Sequence, residues 1–398
     1  MKLYTLSLCL TLLSTSISFA DWLNFRGPSG SGISSNCEGL TKQLSADSVA
    51  WKVPLPGRGL STPLVAGDRV FLTAASGPEQ KELHILCFSS KDGAKLWERT
   101  FLATGRTMCH KKTCVAAPSP ASDGKSIFAL FSSNDLIAVD LDGNIKWMRG
   151  LTLDYPNASN SLGMSSSPVV VDGTLVLQIE NDSESFAAGI DTETGLNRWK
   201  IDRPKAANWT SPIALLIDDT AIAALQSSKG LLGVQPATGS PVFEYKFGAA
   251  TIPSSVASGD TIYIPSNGLT AVKAPTDGGE VEKLWNEGGQ RPGTASPILI
   301  GDRIYTINGA GVLTCANASS GERNWRARLK GPISASPVAT GNHLYVFNEA
   351  GLGQCVKLTA EEGRIVSEID LGETILCTPA LSDNALFIRS DNTLWKIQ

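Results

Sequence analysis

Reactive side chains are concentrated in the stretch "MCHKKTC", which covers residues 108–114. A haem attachment site needs the order Cys-x-x-Cys-His, and a zinc site needs about four ligands. The stretch supplies neither, because His110 lies between Cys109 and Cys114 and the whole chain has 3 histidines. The spacing instead predicts a local disulfide between Cys109 and Cys114, with two free thiols as the alternative.

The segment "FRGPSGSG", residues 25–32, is glycine-rich and could suggest phosphate binding. It lacks the Gly-Lys-Ser/Thr ending of a phosphate-binding loop, and it does not lie between a strand and a helix. We interpret it as a flexible lead-in that drapes over the folded body. The sequence contains no nucleophile elbow and no paired-carboxylate motif, so it predicts no catalytic residue and no metal site.

Long polar loops in the first half of the chain could bind a ligand: "LATGRTMCHKKTC", "DYPNASNSLGMSSSP", "ENDSESF" and "RPKAANWTSP". Binding residues are often carried by loops that a rigid scaffold positions. Asparagine, aspartate and tryptophan side chains together suit a sugar or another polar ligand. The alternative is that these loops satisfy one another's polar groups. The candidate ligand-binding residues are Arg106, His110, Lys111, Lys112, Tyr155, Asn157, Asn160, Asn181, Asp182, Lys205, Asn208 and Trp209.

A repeat determines which elements position these loops. It is a Ser/Thr-Pro step followed by apolar residues and a turn with Asp, Gly or Asn. The eight repeats are anchored at Pro63, Pro120, Pro168, Pro212, Ser255 in the place of proline, Pro297, Pro337 and Pro379. Later anchors are 40–44 residues apart, and each unit holds about four runs of alternating apolar and polar residues. Units of this period and strand number are typical of β-propeller blades.

A tryptophan follows the last turn of most repeat units. A ring at this position can fill the gap between neighbouring blades and bury on the order of 200 Å². The predicted wedges are Trp51, Trp97, Trp147, Trp199, Trp285 and Trp325. Phe243 or Tyr245 is expected to fill the gap in the fourth unit, and Ile365 or Val366 in the seventh. The joint after the seventh unit is therefore predicted to be weaker.

The two ends of the chain complement each other. The last unit has three strand-like runs and stops at Gln398, whereas "VAWKVPL", residues 49–55, looks like an outer strand without a unit. Pairing the two would complete the last blade and remove an exposed sheet edge. The predicted fold is all-β: an eight-bladed β-propeller of four-stranded antiparallel blades, closed by the N-terminal strand pairing with the C-terminal blade.

The turn-to-tryptophan segment "GIDTETGLNRW", residues 189–199, resembles the tryptophan-docking repeat of pyrroloquinoline-quinone-type (PQQ-type) propellers. The segments "FSSKDGAKLW" and "CANASSGERNW" are looser copies, and the resemblance covers residues 49–398. One branch of this family contains quinone-dependent alcohol and sugar dehydrogenases. Another contains non-catalytic propellers such as the lipoprotein of the outer-membrane β-barrel assembly machine. The chain also resembles secreted propellers of planctomycete-type bacteria, which begin with a segment like "NFRGPSGSG".

The quinone-dependent branch usually carries long inserts, a disulfide between adjacent cysteines and a calcium site. This chain has no adjacent cysteines, and no base or calcium ligand set can be placed by motif. The resemblance therefore implies a chain without PQQ or calcium and favours the non-catalytic branch.

Residues 1–20, "MKLYTLSLCLTLLSTSISFA", are typical of a secretory signal peptide, with Lys2 before a short apolar region and Ala20 at the cleavage site. Leu8 disfavours lipid attachment at Cys9. No other stretch approaches about 20 apolar residues, so no membrane span is expected. The predicted organisation is a signal peptide (1–20), a lead-in segment (21–48) and the propeller (49–398), in a protein exported to the periplasm or the extracellular space.

The net charge of −4 and the lack of a long basic run argue against a nucleic-acid partner. The first, second and fourth polar loops precede an inner strand, so they are expected to gather on one rim of the ring, near its axis. Our hypothesis is a monomeric binding or scaffold module that holds a protein, a peptide or a polar saccharide at this loop-rich rim. One alternative is a reduced PQQ-dependent oxidoreductase. The other is an outer-membrane protein assembly factor.

Overall fold

The computed structural model describes residues 21–158 and 162–398. The predicted signal peptide and Asn160 lie outside the described residues. The strands form eight antiparallel sheets of four strands each, arranged in chain order. This arrangement confirms the predicted all-β, eight-bladed propeller. Within the described ranges, no helix is both long and apolar enough to cross a membrane.

The strands of the eight blades have the following bounds. The first strand of the chain, β1 (Val49–Pro54), belongs to blade 8. Blade 1 contains β2 (Leu64–Ala66), β3 (Arg69–Ser76), β4 (Glu82–Ser89) and β5 (Lys95–Leu102), and blade 2 contains β6 (Ala121–Ser122), β7 (Ser126–Leu130), β8 (Asp135–Asp140) and β9 (Ile145–Gly150). Blade 3 contains β10 (Val169–Val171), β11 (Thr174–Ile179), β12 (Phe186–Asp191) and β13 (Asn197–Asp202), and blade 4 contains β14 (Ile213–Ile217), β15 (Thr220–Ser227), β16 (Gly230–Val234) and β17 (Pro241–Tyr245). Blade 5 contains β18 (Val256–Ser258), β19 (Thr261–Ile264), β20 (Leu269–Lys273) and β21 (Glu282–Glu287), and blade 6 contains β22 (Ile298–Ile300), β23 (Arg303–Ile307), β24 (Val312–Asn317) and β25 (Arg323–Arg328). Blade 7 contains β26 (Val338–Thr340), β27 (His343–Phe347), β28 (Leu352–Leu358) and β29 (Gly363–Asp370), and blade 8 adds β30 (Ala380–Ser382), β31 (Ala385–Arg389) and β32 (Thr393–Ile397). A short helix α1 (Leu151–Asp154) and three 3-10 turns (Pro28–Gly30, Ala46–Ser48, Pro78–Gln80) complete the described elements.

The apolar core lies between the blades. In blade 1 the inner strand β2 is buried throughout, and β3 and β4 are buried except at their ends. The outermost strand β5 is half-buried or exposed along its length. A sheet that is covered on both faces needs apolar residues at consecutive positions, which explains the near-continuous apolar runs of the middle strands.

Docked tryptophans join neighbouring blades. The Trp199 indole of blade 3 lies against Gly239 of blade 4, where an added Cβ would come within 2.6 Å of the ring. Gly239 has a φ of 73°, so both its backbone and its contact favour glycine. All six predicted wedges donate an indole N–H to a backbone oxygen of the next blade. The pairs are Trp51–Ser90 (3.3 Å), Trp97–Leu141 (2.9 Å), Trp147–Thr192 (2.9 Å), Trp199–Pro236 (2.6 Å), Trp285–Ala318 (2.9 Å) and Trp325–Thr359 (3.2 Å).

In blade 4, Phe243 stands at the wedge position, because it pairs with Gly233 as Trp199 pairs with Gly189 in blade 3. Tyr245 also reaches the next blade, where its hydroxyl lies 3.0 Å from Ser266 Oγ. Both aromatic residues are therefore used at this joint.

The joint between blades 7 and 8 differs from the prediction. The expected wedge was Ile365 or Val366, but Ser367 lies opposite Cys355, at the position that tryptophan holds in blade 6. The expectation was wrong because Ser367 follows Cys355 by 12 positions, whereas Trp325 follows Cys315 by 10, so the outer hairpin of blade 7 is two residues longer than that of blade 6.

The lead-in fills the space that this serine leaves. The backbone N–H of Leu44 donates to Ser367 Oγ at 2.9 Å, and Ser367 Oγ donates to the Lys42 carbonyl at 2.7 Å. Leu40 and Leu44 are buried in the same cluster as the side chains of blades 7 and 8. The lead-in thus replaces a docked tryptophan at the seventh joint.

The N-terminal strand closes the ring as predicted. The strand β1 pairs with β32, with Lys52 opposite Trp395 and Trp51 opposite Lys396. The Lys52 ammonium lies 4.9 Å from the centre of the Trp395 ring. One strand therefore joins both ends of the chain in one sheet.

The lead-in does not drape over the surface as a flexible segment. It crosses the propeller from blade 1, where Trp22 forms a bridge with Val65, to blade 7, where Ile33 forms a bridge with Ala339. Trp22 and Arg26 are 0% and 1% exposed. The expectation failed because a glycine-rich composition does not reveal the two large side chains that anchor the segment.

Candidate functional site

A ring of hydroxyl groups surrounds the propeller axis. In each blade, the residue before the anchor position is a serine or threonine. In blades 1 to 7 its backbone N–H donates to the hydroxyl of the equivalent residue in the next blade. Seven such bonds of 2.9–3.1 Å connect Thr62, Ser119, Ser167, Ser211, Ser254, Ser296, Ser336 and Thr378 in that order. We call these eight residues the hydroxyl ring. The proline that follows most of them favours the extended backbone needed here.

The ring is not closed by an eighth bond of this kind. Thr62 Oγ1 is buried and has no hydrogen-bond partner among the described residues. At this joint the buried Arg389 of blade 8 reaches blade 1 and donates to the Thr73 carbonyl and Ser61 Oγ. Arginine bonds thus replace the hydroxyl bond at the joint that blade 8 makes with blade 1, and blade 8 is the blade to which both ends of the chain contribute strands.

Replacing a ring hydroxyl should destabilise the fold. In Ser167→Ala the buried Ser119 N–H loses its acceptor, and we expect a loss of about 1–3 kcal/mol in the free energy of unfolding. Denaturant unfolding measures this loss. The matched control is Ser165→Ala, which changes a half-buried serine outside the ring. Equal stabilities of the two variants would contradict the role of the ring.

The hydroxyl ring borders a cavity of about 420 Å³ on the propeller axis. The cavity reaches the loop-rich rim, which we define as the end where fourth strands connect to the first strands of the next blades. Phe25 of the lead-in lines it from the opposite end. Besides ring members, its lining includes Leu60, His110, Lys112, Thr113, Leu162, Trp209, Ile252, Thr294, Ser334 and Leu376.

An ion pair spans the mouth of the cavity. Lys112 Nζ, in the loop between blades 1 and 2, lies 2.7 and 2.9 Å from the two carboxylate oxygens of Glu349 in blade 7. Ser334 also donates to this carboxylate at 2.7 Å. Desolvation acts to raise the pKa of Glu349, but the bonds from Lys112 and Ser334 outweigh it and lower the pKa. The pair leaves the mouth without an unpaired carboxylate.

Three of the candidate ligand-binding residues meet at this cavity: His110, Lys112 and Trp209. The Trp209 indole N–H donates to the Gly163 carbonyl at 2.8 Å, and its backbone N–H donates to the Thr251 carbonyl at 2.8 Å. These bonds fix the indole at the rim. The loops thus bring together an aromatic ring, an imidazole and an ammonium group beside the hydroxyl ring.

Three other candidates hold loops together. Asn208 donates to Glu180 Oε2 at 2.9 Å and to the Gln226 carbonyl at 2.8 Å. Asn181 donates to the Glu184 carbonyl at 2.7 Å, and the Asp182 carboxylate accepts the Ala207 N–H at 3.2 Å. Two of them, Asn181 and Asn208, are buried. For these three residues the contacts match the alternative stated above, in which the polar groups of the loops bond to one another.

The remaining candidates are dispersed. The Tyr155 ring contacts the Phe186 ring in a tilted arrangement with ring centres 4.6 Å apart, and the Tyr155 hydroxyl accepts a hydrogen bond from Asn197. Asn157 and Lys205 line a separate groove on the side of blade 3. Arg106 and Lys111 are exposed in the loop between blades 1 and 2. None of these five candidates lines the axial cavity within the described chain.

Sequence reasoning missed a buried polar cluster between blades 3 and 4. Glu180 and the Arg203 side chain are 1% and 6% exposed, and Arg203 Nε lies 2.6 Å from Glu180 Oε1. Gln178 and Asn208 donate to the same carboxylate at 3.0 and 2.9 Å. Desolvation raises the pKa of Glu180 although Arg203 opposes it. A charged residue directly after an apolar strand was the available signal.

The structure contains no disulfide between Cys109 and Cys114, which are both free. Cys109 Sγ lies 3.5 Å from the Thr107 carbonyl, and burial raises the pKa of both thiols, that of Cys114 to about 12. Such thiols are poor nucleophiles at neutral pH. The disulfide stays a prediction from the sequence, for which intact-mass measurement of the exported protein is the test.

A hydrogen-bonded chain of Ser76, His84 and Glu98 crosses blade 1. Ser76 Oγ lies 2.7 Å from His84 Nε2, and His84 Nδ1 lies 2.8 Å from Glu98 Oε1. Ser76 Oγ also lies 2.8 Å from the carboxylate of Glu82, and the histidine is 6% exposed. The Ser76 hydroxyl therefore contacts both His84 and Glu82. The network links β3, β4 and β5, and its residues do not line the axial cavity.

The lining of the cavity does not fit a calcium-bound quinone. Calcium takes six to eight oxygen ligands, usually with carboxylates among them, and PQQ itself carries carboxylates that need cations. No aspartate or glutamate lines the cavity in the described part of the chain, and its ammonium group, Lys112, is already paired. No cluster of three or more potential metal ligands occurs among the described residues.

The fold is shared by many solved structures, and three of them serve as examples. BamB from Moraxella catarrhalis is 15% identical with a TM-score of 0.64, over 88% of this chain and 97% of that chain. A quinohemoprotein alcohol dehydrogenase from Comamonas testosteroni is 12% identical with a TM-score of 0.68, over 95% and 80%. A europium-containing methanol dehydrogenase is 13% identical with a TM-score of 0.69, over 93% and 89%. At such identities the likeness shows the fold alone.

No curated protein sequence matches the chain. A family model described as "Outer membrane protein assembly factor BamB" matches residues 43–186, 161–262 and 266–353. These ranges run from the lead-in to blade 7 and cover most of the chain. The chain therefore belongs to this BamB-like family of PQQ-type β-propellers.

Proposed function

We propose that this chain is an exported, non-catalytic binding or scaffold module that receives its ligand at the loop-rich rim. The observation that carries the proposal is the axial cavity of about 420 Å³, which lies within the size range of ligand pockets. Export is supported by the signal-like residues 1–20. The proposed mature protein consists of the lead-in and the propeller.

The chemistry of the cavity favours a polar, hydroxyl-bearing ligand such as a saccharide unit. The half-buried Trp209 gives an aromatic face, and aromatic rings with one polar edge are suited to amphipathic ligands. Serine and threonine hydroxyls can donate to and accept from the hydroxyl groups of a sugar. A peptide or a protein segment is the other ligand class that the same rim could hold.

Trp209→Ala should weaken ligand binding at least about tenfold, because an aromatic anchor often contributes more than 1.4 kcal/mol to binding. Saccharide and peptide arrays on the mature protein identify the ligand, and calorimetry compares the variants. The control is Phe247→Ala, which removes an aromatic side chain that is 72% exposed and lies outside the cavity lining. If Trp209→Ala leaves the affinity unchanged and Phe247→Ala lowers it, the ligand does not bind in the cavity.

The second candidate is a role in outer-membrane protein assembly, which the description of the matching family favours. The supporting observation is that the chain covers 97% of the BamB structure from Moraxella catarrhalis. Affinity purification of the tagged protein from its native envelope separates the two candidates. Recovery of outer-membrane assembly proteins would support this role, and recovery of a saccharide would support the first.

A reduced quinone-dependent oxidoreductase is the remaining alternative. We propose that the chain binds neither PQQ nor calcium, because the acidic ligands that calcium needs do not line the cavity in the described residues. Incubation with PQQ and calcium followed by desalting should leave no bound chromophore. Retained absorbance together with dye reduction by an alcohol or a sugar would contradict this proposal.

A further inference from the structure

The lead-in places a buried cation on the propeller axis without a counter-ion. Arg26 is 1% exposed. Its guanidinium donates to the Ser255 carbonyl at 3.4 Å and to the Pro297 carbonyl, and its Nε has no partner among the described residues. None of the ion pairs in the described ranges includes Arg26, and residues 1–20 and 159–161 contain no acidic residue that could pair with it.

A desolvated charge without a partner opposes folding, and neutralisation is the usual way in which proteins avoid that cost. Burial lowers the pKa of Arg26 to about 9, with no acidic group acting on it. The side chain therefore still carries its charge near neutral pH. Two backbone carbonyls supply partial negative charge but cannot neutralise a guanidinium.

The surroundings of Arg26 are rich in hydrogen-bond donors. Ser255 and Pro297 directly follow the ring members Ser254 and Ser296, so the guanidinium lies next to the ring at blades 5 and 6. Among the described residues, the Ser254 hydroxyl accepts the Ser211 N–H, and the Ser296 hydroxyl accepts the Ser254 N–H. The proton of each hydroxyl can therefore be donated to an anion.

The lead-in adds a further donor. The indole N–H of the fully buried Trp22 has no acceptor among the described residues. Asn24 Oδ1 also lacks a partner there, and a half-turn of this amide presents its NH2 group instead. Buried polar atoms without partners are rare in folded proteins and often indicate an ion or a water. An anion beside the guanidinium would supply the acceptor that Arg26 Nε lacks.

We propose that a small anion binds on the propeller axis against Arg26, beside the hydroxyl ring at Ser254 and Ser296. The site takes chloride, formate or another small carboxylate, or an oxyanion such as sulfate. Arg26 does not line the axial cavity, so the proposal does not depend on which ligand enters from the loop-rich rim. The anion and the lead-in together would lock the face of the propeller opposite that rim.

The test is the thermal melting of the full mature chain in a low-salt buffer to which chloride, formate or sulfate is added. For the unchanged chain we expect a saturable rise in Tm of about 3 °C or more with at least one of these anions. Arg26→Met should show no saturable rise and should melt at or above the unchanged chain in the anion-poor buffer. The three anions distinguish a halide site from a carboxylate or oxyanion site.

The matched control is Arg291→Met, which removes an exposed arginine and should keep the response of the unchanged chain. A flat response of the unchanged chain, or a response that survives in Arg26→Met, overturns the proposal. If Arg26→Met does not fold, crystals of the unchanged chain soaked separately in bromide, bromoacetate and selenate decide the question. An anomalous peak beside Arg26 Nε with any of the three supports the site, and the absence of a peak with all three overturns it.

Discussion

Deletion of residues 49–55 is expected to abolish cooperative melting and to make the mature chain self-associate. Without β1, the outer edge of β32 is exposed, and open strand edges pair with other chains. The loss of Trp51 from its contact with Gly93 alone should cost about 3–5 kcal/mol. Because folded domains are stable by about 5–15 kcal/mol in total, the shortened chain should not keep its closed ring.

Circular dichroism melts and light scattering measure this effect, and complementation in trans gives its control. A synthetic peptide of residues 49–55 should restore cooperative melting and the original size of the shortened chain. The same peptide with Trp51→Ala should restore much less, because it pairs with β32 but cannot dock on blade 1. A deletion variant that melts like the intact chain would show that the strand is dispensable.

The second large effect is expected at the buried ion pair. In Arg203→Met the Glu180 carboxylate keeps the amide donors of Gln178 and Asn208 but loses its counter-ion. Removal of one partner of a buried pair costs about 3–5 kcal/mol. Urea unfolding at pH 7 measures this loss against the unchanged chain.

The pH dependence of Arg203→Met tests the cause of that loss. Burial raises the pKa of Glu180 above its ordinary value of 4.5, and removal of Arg203 should raise it further. The folded state then binds more protons than the unfolded state above pH 4.5, so the stability of the variant should fall as the pH rises. The deficit should therefore be smallest near pH 5 and largest near pH 8.

The double variant Glu180→Gln/Arg203→Met is the matched control for this prediction. It removes both charges but keeps a polar group for Gln178 and Asn208, so it should recover most of the lost stability. It should also lose the additional pH dependence. If the double variant is as unstable as Arg203→Met, packing of the arginine stem explains the loss, and the ion pair does not.

The sequence alone determined the architecture of this protein. The period of the Ser/Thr-Pro anchors, the alternation within each unit and the tryptophan after the last turn predicted eight blades of four strands, and the structure confirms them. The closing strand could also be predicted, because residues 49–55 and the incomplete last unit match each other. Strand alternation and turn formation depend on residues that are close together in the chain, so they can be predicted from the sequence.

The sequence predicted the region of the candidate site better than its residues. It indicated the rim, since three of the four polar loops precede an inner strand, and His110, Lys112 and Trp209 line the axial cavity together. It could not separate these three residues from Asn208, which donates to Glu180, or from Tyr155, whose ring packs against Phe186. The partner of a loop side chain depends on contacts that residue spacing does not encode.

Only the tertiary structure decided how the axis is built. The bonds from blade to blade make the anchor hydroxyls into a ring, and Ser367 with the lead-in takes the place of the seventh tryptophan. Lys112 meets Glu349 across 237 positions, and Arg26 meets Ser255 across 229. Contacts between residues so distant in the chain arise when the ring closes, because closure brings every blade to one axis.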